Sequence, residues 1–94
     1  MIIVSGKIFV APGQRDAFLQ ASHSAIVQAR SAPGCRDFVV SADPIEENRV
    51  DVYEEWDSAE DLEAFRGSGP DDGLSSVIVG AEIARHIVAS SGPA

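Results

Sequence analysis

The chain has little that could hold a metal or a disulfide. It carries one cysteine, Cys35, and two histidines, His23 and His86, far apart in sequence. A single thiol excludes an internal disulfide, and no Cys/His group has the spacing of a structural zinc site. Basic residues are also few: 7 Lys and Arg stand against 15 Asp and Glu, for a formal net charge of −8. That balance argues against nucleic acid, whose affinity comes mainly from cations on phosphates, and against an anionic membrane surface. No run approaches the roughly 18 apolar residues of a membrane span, and Met1-Ile2-Ile3-Val4 shows no basic leader. The expected location is therefore the cytoplasm. Phosphate loops, nucleophile elbows and Walker patterns are missing too.

What is present reads as one small folded domain over residues 1–90, with 91–94 as a flexible tail. Hydrophobic residues make up 45% and charged residues 23% of the 94, the composition of a globular chain. A chain of this length buries only about 60–65% of its unfolded surface, so added burial by self-association is expected.

Residues 2–10 alternate, with Ile2, Val4, Ile8 and Val10 on one face and Ile3 and Phe9 on the other, the pattern of a strand. Ala11-Pro12-Gly13 turns the chain. Residues 14–32 follow helical spacing through Phe18, Ala21, Ala25, Ala29 and Ala32, widened by Leu19 and Ile26. Pro33-Gly34 ends this helix. A second strand is expected over about 36–42 and a third over about 49–56, joined by a short polar loop that favours antiparallel pairing. Ser58 with Asp61, or Asp57 with Glu60, resembles a capping box for a second helix. Gly67-Ser68-Gly69-Pro70 should break that helix. A further helix of about ten residues is expected from Leu74, and a last strand from Ile83 to Ala89. The order is the βαββαβ of a ferredoxin-like α+β fold with an antiparallel sheet. Its helices cover one sheet face, leaving Ile3, Phe9, Val39 and Tyr53 for a second copy of the chain.

The most informative stretch is Tyr53-Glu-Glu-Trp-Asp-Ser-Ala-Glu-Asp-Leu62. The only tryptophan sits where a strand hands over to a helix, and Glu54 lies two residues before it on the same face. An aromatic and a half-buried acid at a sheet end suit a pocket for a flat organic molecule. Trp56 is a candidate stacking wall, or else a core anchor. Glu54 is a candidate base for a phenolic proton, or else a carboxylate satisfied by Arg49, Arg85 or backbone N–H groups. His86 is the other candidate base; the sequence leaves open which sheet face it takes. Phe18, Phe38 and Phe65 would supply an apolar pocket wall, or plain core. Cys35 has Asp37 beside it, the wrong neighbour for a nucleophilic thiolate. Arg15 and Asp16 read as a solvated pair, and His23 as a surface residue. The acids from Glu54 to Glu63 lack the spacing of a calcium loop and suit the start of a helix.

Four pieces in order resemble the antibiotic biosynthesis monooxygenase family: Ala11-Pro-Gly-Gln-Arg-Asp-Ala-Phe18, Ser31-Ala-Pro-Gly-Cys35, Tyr53-Glu-Glu-Trp56 and Ser58-Ala-Glu-Asp-Leu62. The resemblance implies a ferredoxin-like fold that dimerises through its sheets into an α+β barrel, with a pocket between sheet and helices. It implies oxidation of a phenolic, anthrone or quinol-like aromatic by dioxygen, with no metal and no flavin as cofactor. Other relatives degrade haem. They carry a first-strand asparagine where Gly6 or a neighbour stands here, and a helical histidine that residues 65–82 lack; only Trp56 matches, which argues against haem degradation. Many members also have a histidine in the second helix where Phe65 stands here, so that residue's acid–base role does not transfer. A non-catalytic ligand-binding or assembly domain is the alternative.

Overall fold

The computed structural model describes residues 1–68 and 74–94, and of residues 68, 74 and 75 the backbone alone. Strand β1 (Ile2–Val10) leads through the Pro12-Gly13 turn into helix α1 (Arg15–Arg30). Strands β2 (Cys35–Ala42) and β3 (Arg49–Trp56) form a hairpin, helix α2 (Ala59–Ser68) follows, and strand β4 (Ile78–Ile87) closes the order. All pairings are antiparallel, in the order β2-β3-β1-β4, the sheet of a ferredoxin-like α+β fold.

β1 and β3 hold the centre because their inward residues are apolar at nearly every second position, with Glu54 the charged exception. Ile2, Val4 and Val10 on β1 and Val50, Val52 and Trp56 on β3 are all buried. Against them sit Phe18 and Ala29 of α1 and Leu62 of α2. The inward line of α1 runs through Ser22, which is buried, and not through Ala21, which is exposed. Ser22 is accommodated there because its hydroxyl donates to the Phe18 carbonyl one turn back, at 2.8 Å, which removes the cost of an unpaired buried donor.

Three connections carry the alignment. Gly34 has φ +80° and its carbonyl accepts from the Asp57 N–H at 2.8 Å. A Cβ at Gly34 would meet the Asp61 carboxylate at 2.1 Å, so a residue without a side chain is required there. Ser58 caps α2 as the capping box implies: its oxygen accepts from the Asp61 N–H at 3.2 Å and its hydroxyl donates to Asp61 Oδ2 at 2.9 Å. Arg15 does not pair with Asp16. Its guanidinium donates to the carbonyls of Asp43, Glu46 and Arg49, tying the start of α1 to the β2–β3 loop.

The C-terminal part departs from the sequence expectation. A 3₁₀ turn over Leu74–Val77 replaces the ten-residue helix, and β4 begins at Ile78 instead of Ile83. The β-branched run Val77-Ile78-Val79 explains the outcome: such side chains are stiff in a helix and suit a pleated strand beside β1. The break at Gly69-Pro70 lies outside the described residues. α2 itself runs through Gly67 to Ser68.

The face of the sheet away from the helices carries Ile3, Phe9, Val39 and Tyr53, each half-buried. The two described helices lie on the other face. Among the described residues no helix is long and apolar enough to cross a membrane.

Candidate functional site

Between α1 and the sheet lies a cavity of about 310 Å³, at the lower end of the usual size of small-molecule sites. Phe18 and Ala25 of α1 form its roof, Phe38 and Val40 of β2 one side, and Ile78 and Ile83 of β4 the other. It exists for two local reasons. α1 presents small side chains, Ser22 and Ala25, over the middle of the sheet. Beneath them β1 carries Gly6, which pairs with Val52 on one side and Ile83 on the other and adds no side chain. A Cβ at Gly6 would lie 2.1 Å from the Glu82 carbonyl, so the close approach of β1 to β4 needs this residue.

Glu54 lines this cavity from β3 and is 7% exposed. Among the described residues it is the one ionisable side chain in the cavity wall. Its partner is neither Arg49, which is engaged with Asp51 and Asp43, nor Arg85, which pairs with Glu63 on α2. The indole Nε1 of Trp56 donates to Glu54 Oε1 at 2.9 Å. Residues i and i+2 of a strand share a face, so two positions on one strand supply both acid and donor. The buried side-chain polar atoms of the described residues all have partners. Oε1 accepts from the indole N–H, and no other hydrogen bond to the Glu54 carboxylate is made among the described residues. Glu54 thus lines the cavity with its second oxygen outside that contact.

Trp56 stands behind the acid. It is fully buried, packs with Ile2, Val4 and Leu62, and is absent from the cavity lining. Its ring lies 5.4 Å from that of Phe65, which meets Phe38 edge-on at 5.9 Å. Phe38 reaches the cavity, and Phe18 does so from the helix above. Phe65 instead borders a neighbouring hollow with Ala32, Pro33 and Asp61. Of the residues singled out from the sequence, the structure brings Glu54, Phe18 and Phe38 together at the cavity and sets Trp56 and Phe65 behind them. It does not bring His86 there. His86 pairs with Ile3 on the face away from the helices and is exposed.

Cys35 packs against the Trp56 cluster. Burial raises its thiol above the ordinary value, and the negative charges of Glu54 and Asp37 add to the effect. It is a thiol held neutral, not a nucleophile. Ser22 is the cavity residue that sequence reading missed. A serine beside His23 and Ser24 reads as part of the polar flank; only the phase of the helix, set by Phe18 four residues earlier, could have placed it inward. Among the described residues no group of three acidic, histidine or cysteine side chains is arranged to hold a metal ion.

The sequence profile of the antibiotic biosynthesis monooxygenase family matches residues 1–70 of the chain. A solved structure from Deinococcus radiodurans, provisionally described as an antibiotic biosynthesis monooxygenase, superposes with TM-score 0.86 at 17% identity, covering 100% of this chain and 98% of that one. A second, from Chloroflexus aurantiacus and described in the same way, gives TM-score 0.79 at 25% identity over 98% and 96% of the two chains. The uncharacterized protein sll1783 of Synechocystis is 34% identical over 55 residues, which are 58% of this chain and 37% of that protein. The chain thus spans well under half the length of that curated relative.

Proposed function

The chain belongs to the antibiotic biosynthesis monooxygenase family, and on that footing we propose that it oxidises a hydroxylated aromatic with dioxygen, without metal or flavin. One observation carries the reading: a buried carboxylate, fixed by an indole N–H, faces an apolar cavity of about 310 Å³. Glu54 takes the phenolic proton, and Trp56 is the positioning residue that keeps its carboxylate turned inward. The electron-rich anion passes one electron to dioxygen, and the radical pair recombines at the ring carbon as a hydroperoxide. Loss of water leaves a carbonyl. One oxygen atom stays on the ring and the other leaves as water. The substrate itself supplies the electrons, so a naphthol and dioxygen give a naphthoquinone and water in balance. The protein contributes orientation, exclusion of water and the base.

The family likeness and the apolar residues on the uncovered sheet face support a dimer in which two such faces meet. Sedimentation should then give twice the 9.9 kDa chain mass; a monomer at micromolar concentration refutes it. Such a dimer would enclose His86 away from the cavity.

The test of the reaction is oxygen uptake with a panel of anthrones, naphthols and naphthohydroquinones. Wild type should exceed both buffer and Glu54→Gln; equal rates in all three refute the reaction. A second reading, binding without turnover, is favoured by the lack of a histidine in the cavity wall among the described residues. It predicts a ligand retained in native mass spectrometry and no oxygen consumed.

A further inference from the structure

Two polar side chains reach the cavity among the described residues, Ser22 from the helix above and Glu54 from the sheet below. Both are buried, at 4% and 7% exposure. Each has already committed its geometry to a protein partner. The Phe18 carbonyl can only accept, so the 2.8 Å contact uses the hydrogen of the Ser22 hydroxyl and leaves its lone pairs. The indole can only donate, so Glu54 Oε1 is an acceptor there, and the second carboxylate oxygen of this lining residue keeps its lone pairs. The remaining wall is hydrocarbon: Ile8, Phe18, Ala25, Phe38, Val40 and Val52 stand among its lining. The cavity therefore offers acceptors on two opposite walls and no donor from its described side chains.

We propose that Ser22 and Glu54 form an acceptor pair that selects ligands by their hydroxyl hydrogens, with Ser22 the specificity-determining member. This rests on the reading of the cavity as the substrate site, and it goes further by stating which form of the substrate is held. A dihydroxy aromatic brings a hydrogen to each wall. The same ring carrying carbonyls or methoxy groups brings only acceptors, leaves lone pair facing lone pair, and forfeits the hydrogen bonds its oxygens made in water. The site thus favours the reduced, hydroxylated compound over its carbonyl product, which aids release after oxidation. Carboxylate ligands are rejected for the same reason, reinforced by the charge of Glu54.

The experiment is titration calorimetry under argon on the full chain, with 2-naphthol, its methyl ether and the dihydroxynaphthalene isomers. Naphthol should bind at least about tenfold tighter than its ether, the worth of a hydrogen bond to a charged group. At least one diol should bind about fivefold or more tighter than naphthol. Ser22→Ala should erase the diol's advantage and leave naphthol within about twofold; alanine keeps the helix, so folding is not at issue. Glu54→Gln, which keeps the shape, should cut the preference of naphthol over the ether. Equal binding of naphthol and ether overturns the proposal, as does a diol advantage that survives Ser22→Ala, or no binding by any member of the panel. Selective binding without oxygen uptake refutes the oxidation and leaves the acceptor pair standing. Uptake without hydroxyl preference does the reverse.

Discussion

Removing the indole N–H is the sharpest perturbation of the candidate site. Trp56→Phe keeps an aromatic ring in a fully buried position but strips the donor from Glu54, held at 2.9 Å. A hydrogen bond to a charged group contributes about 1.5–3 kcal/mol. The smaller ring leaves unfilled volume between Leu62 and Phe65, for about 1 kcal/mol more. The sum, about 2.5–4 kcal/mol, is a large share of the 5–15 kcal/mol typical of a domain, and in one this small it lowers Tm by about 10 °C or more. Glu54→Met strands the indole donor instead and should cost about 1–3 kcal/mol. The double variant strands neither group. Its cost should fall short of the summed single costs by about 1.5 kcal/mol or more. Urea unfolding followed by far-ultraviolet circular dichroism, at one fixed protein concentration, measures all four corners of the cycle. Additivity within about 0.5 kcal/mol would show that the contact carries no coupling and would refute the positioning role of Trp56.

Two further outcomes follow from charge. The Cys35 thiol is held above its ordinary value by burial and then by Glu54, so alkylation by iodoacetamide at mildly alkaline pH should be slow and Glu54→Gln should speed it; an unchanged rate would place the carboxylate's charge elsewhere. Asp43 is held down to about 2 by the backbone N–H of Glu46 first, with Asp51, Ile45 and Arg49 contributing. A depressed carboxyl stabilises the fold above its unfolded value of about 3.9 and loses that contribution as pH falls toward the folded value. The urea midpoint should therefore drop between about pH 4 and pH 2, and Asp43→Asn should flatten that drop; an equal slope in both proteins refutes it.

The two central strands were legible because their signal is local and periodic. Alternation alone places β1 at Ile2–Val10 and β3 at Arg49–Trp56, and it puts Glu54 and Trp56 on the helix-covered face with Val50 and Val52. The capping pair Ser58 and Asp61 was one of two that the sequence offered. What the sequence could not give was distance. Arg49 and Arg85 are the obvious charged partners for Glu54, yet the acid takes the uncharged indole two residues away. Whether Trp56 fronts the cavity or backs it depends on α2, whose Phe65 stacks over the ring. The face of His86 depends on register with β1, which one strand's own alternation does not set. Ser22 was hidden by chemistry, since a hydroxyl reads as outward until its hydrogen is seen on the Phe18 carbonyl. The turn at Leu74–Val77 misled because apolar residues at helical intervals also fit a β-branched strand.

The floor and the sides of the cavity differ in how they are anchored. β3, which bears Glu54, is laced to a neighbour on both sides, whereas β2, which bears Phe38 and Val40, and β4, which bears Ile78 and Ile83, are each laced to one strand only. Thermal breathing therefore falls on the sides, since fewer ladder bonds must open there. A guest would be admitted by a yielding rim while the carboxylate stays in register, as a jaw closes on a fixed anvil.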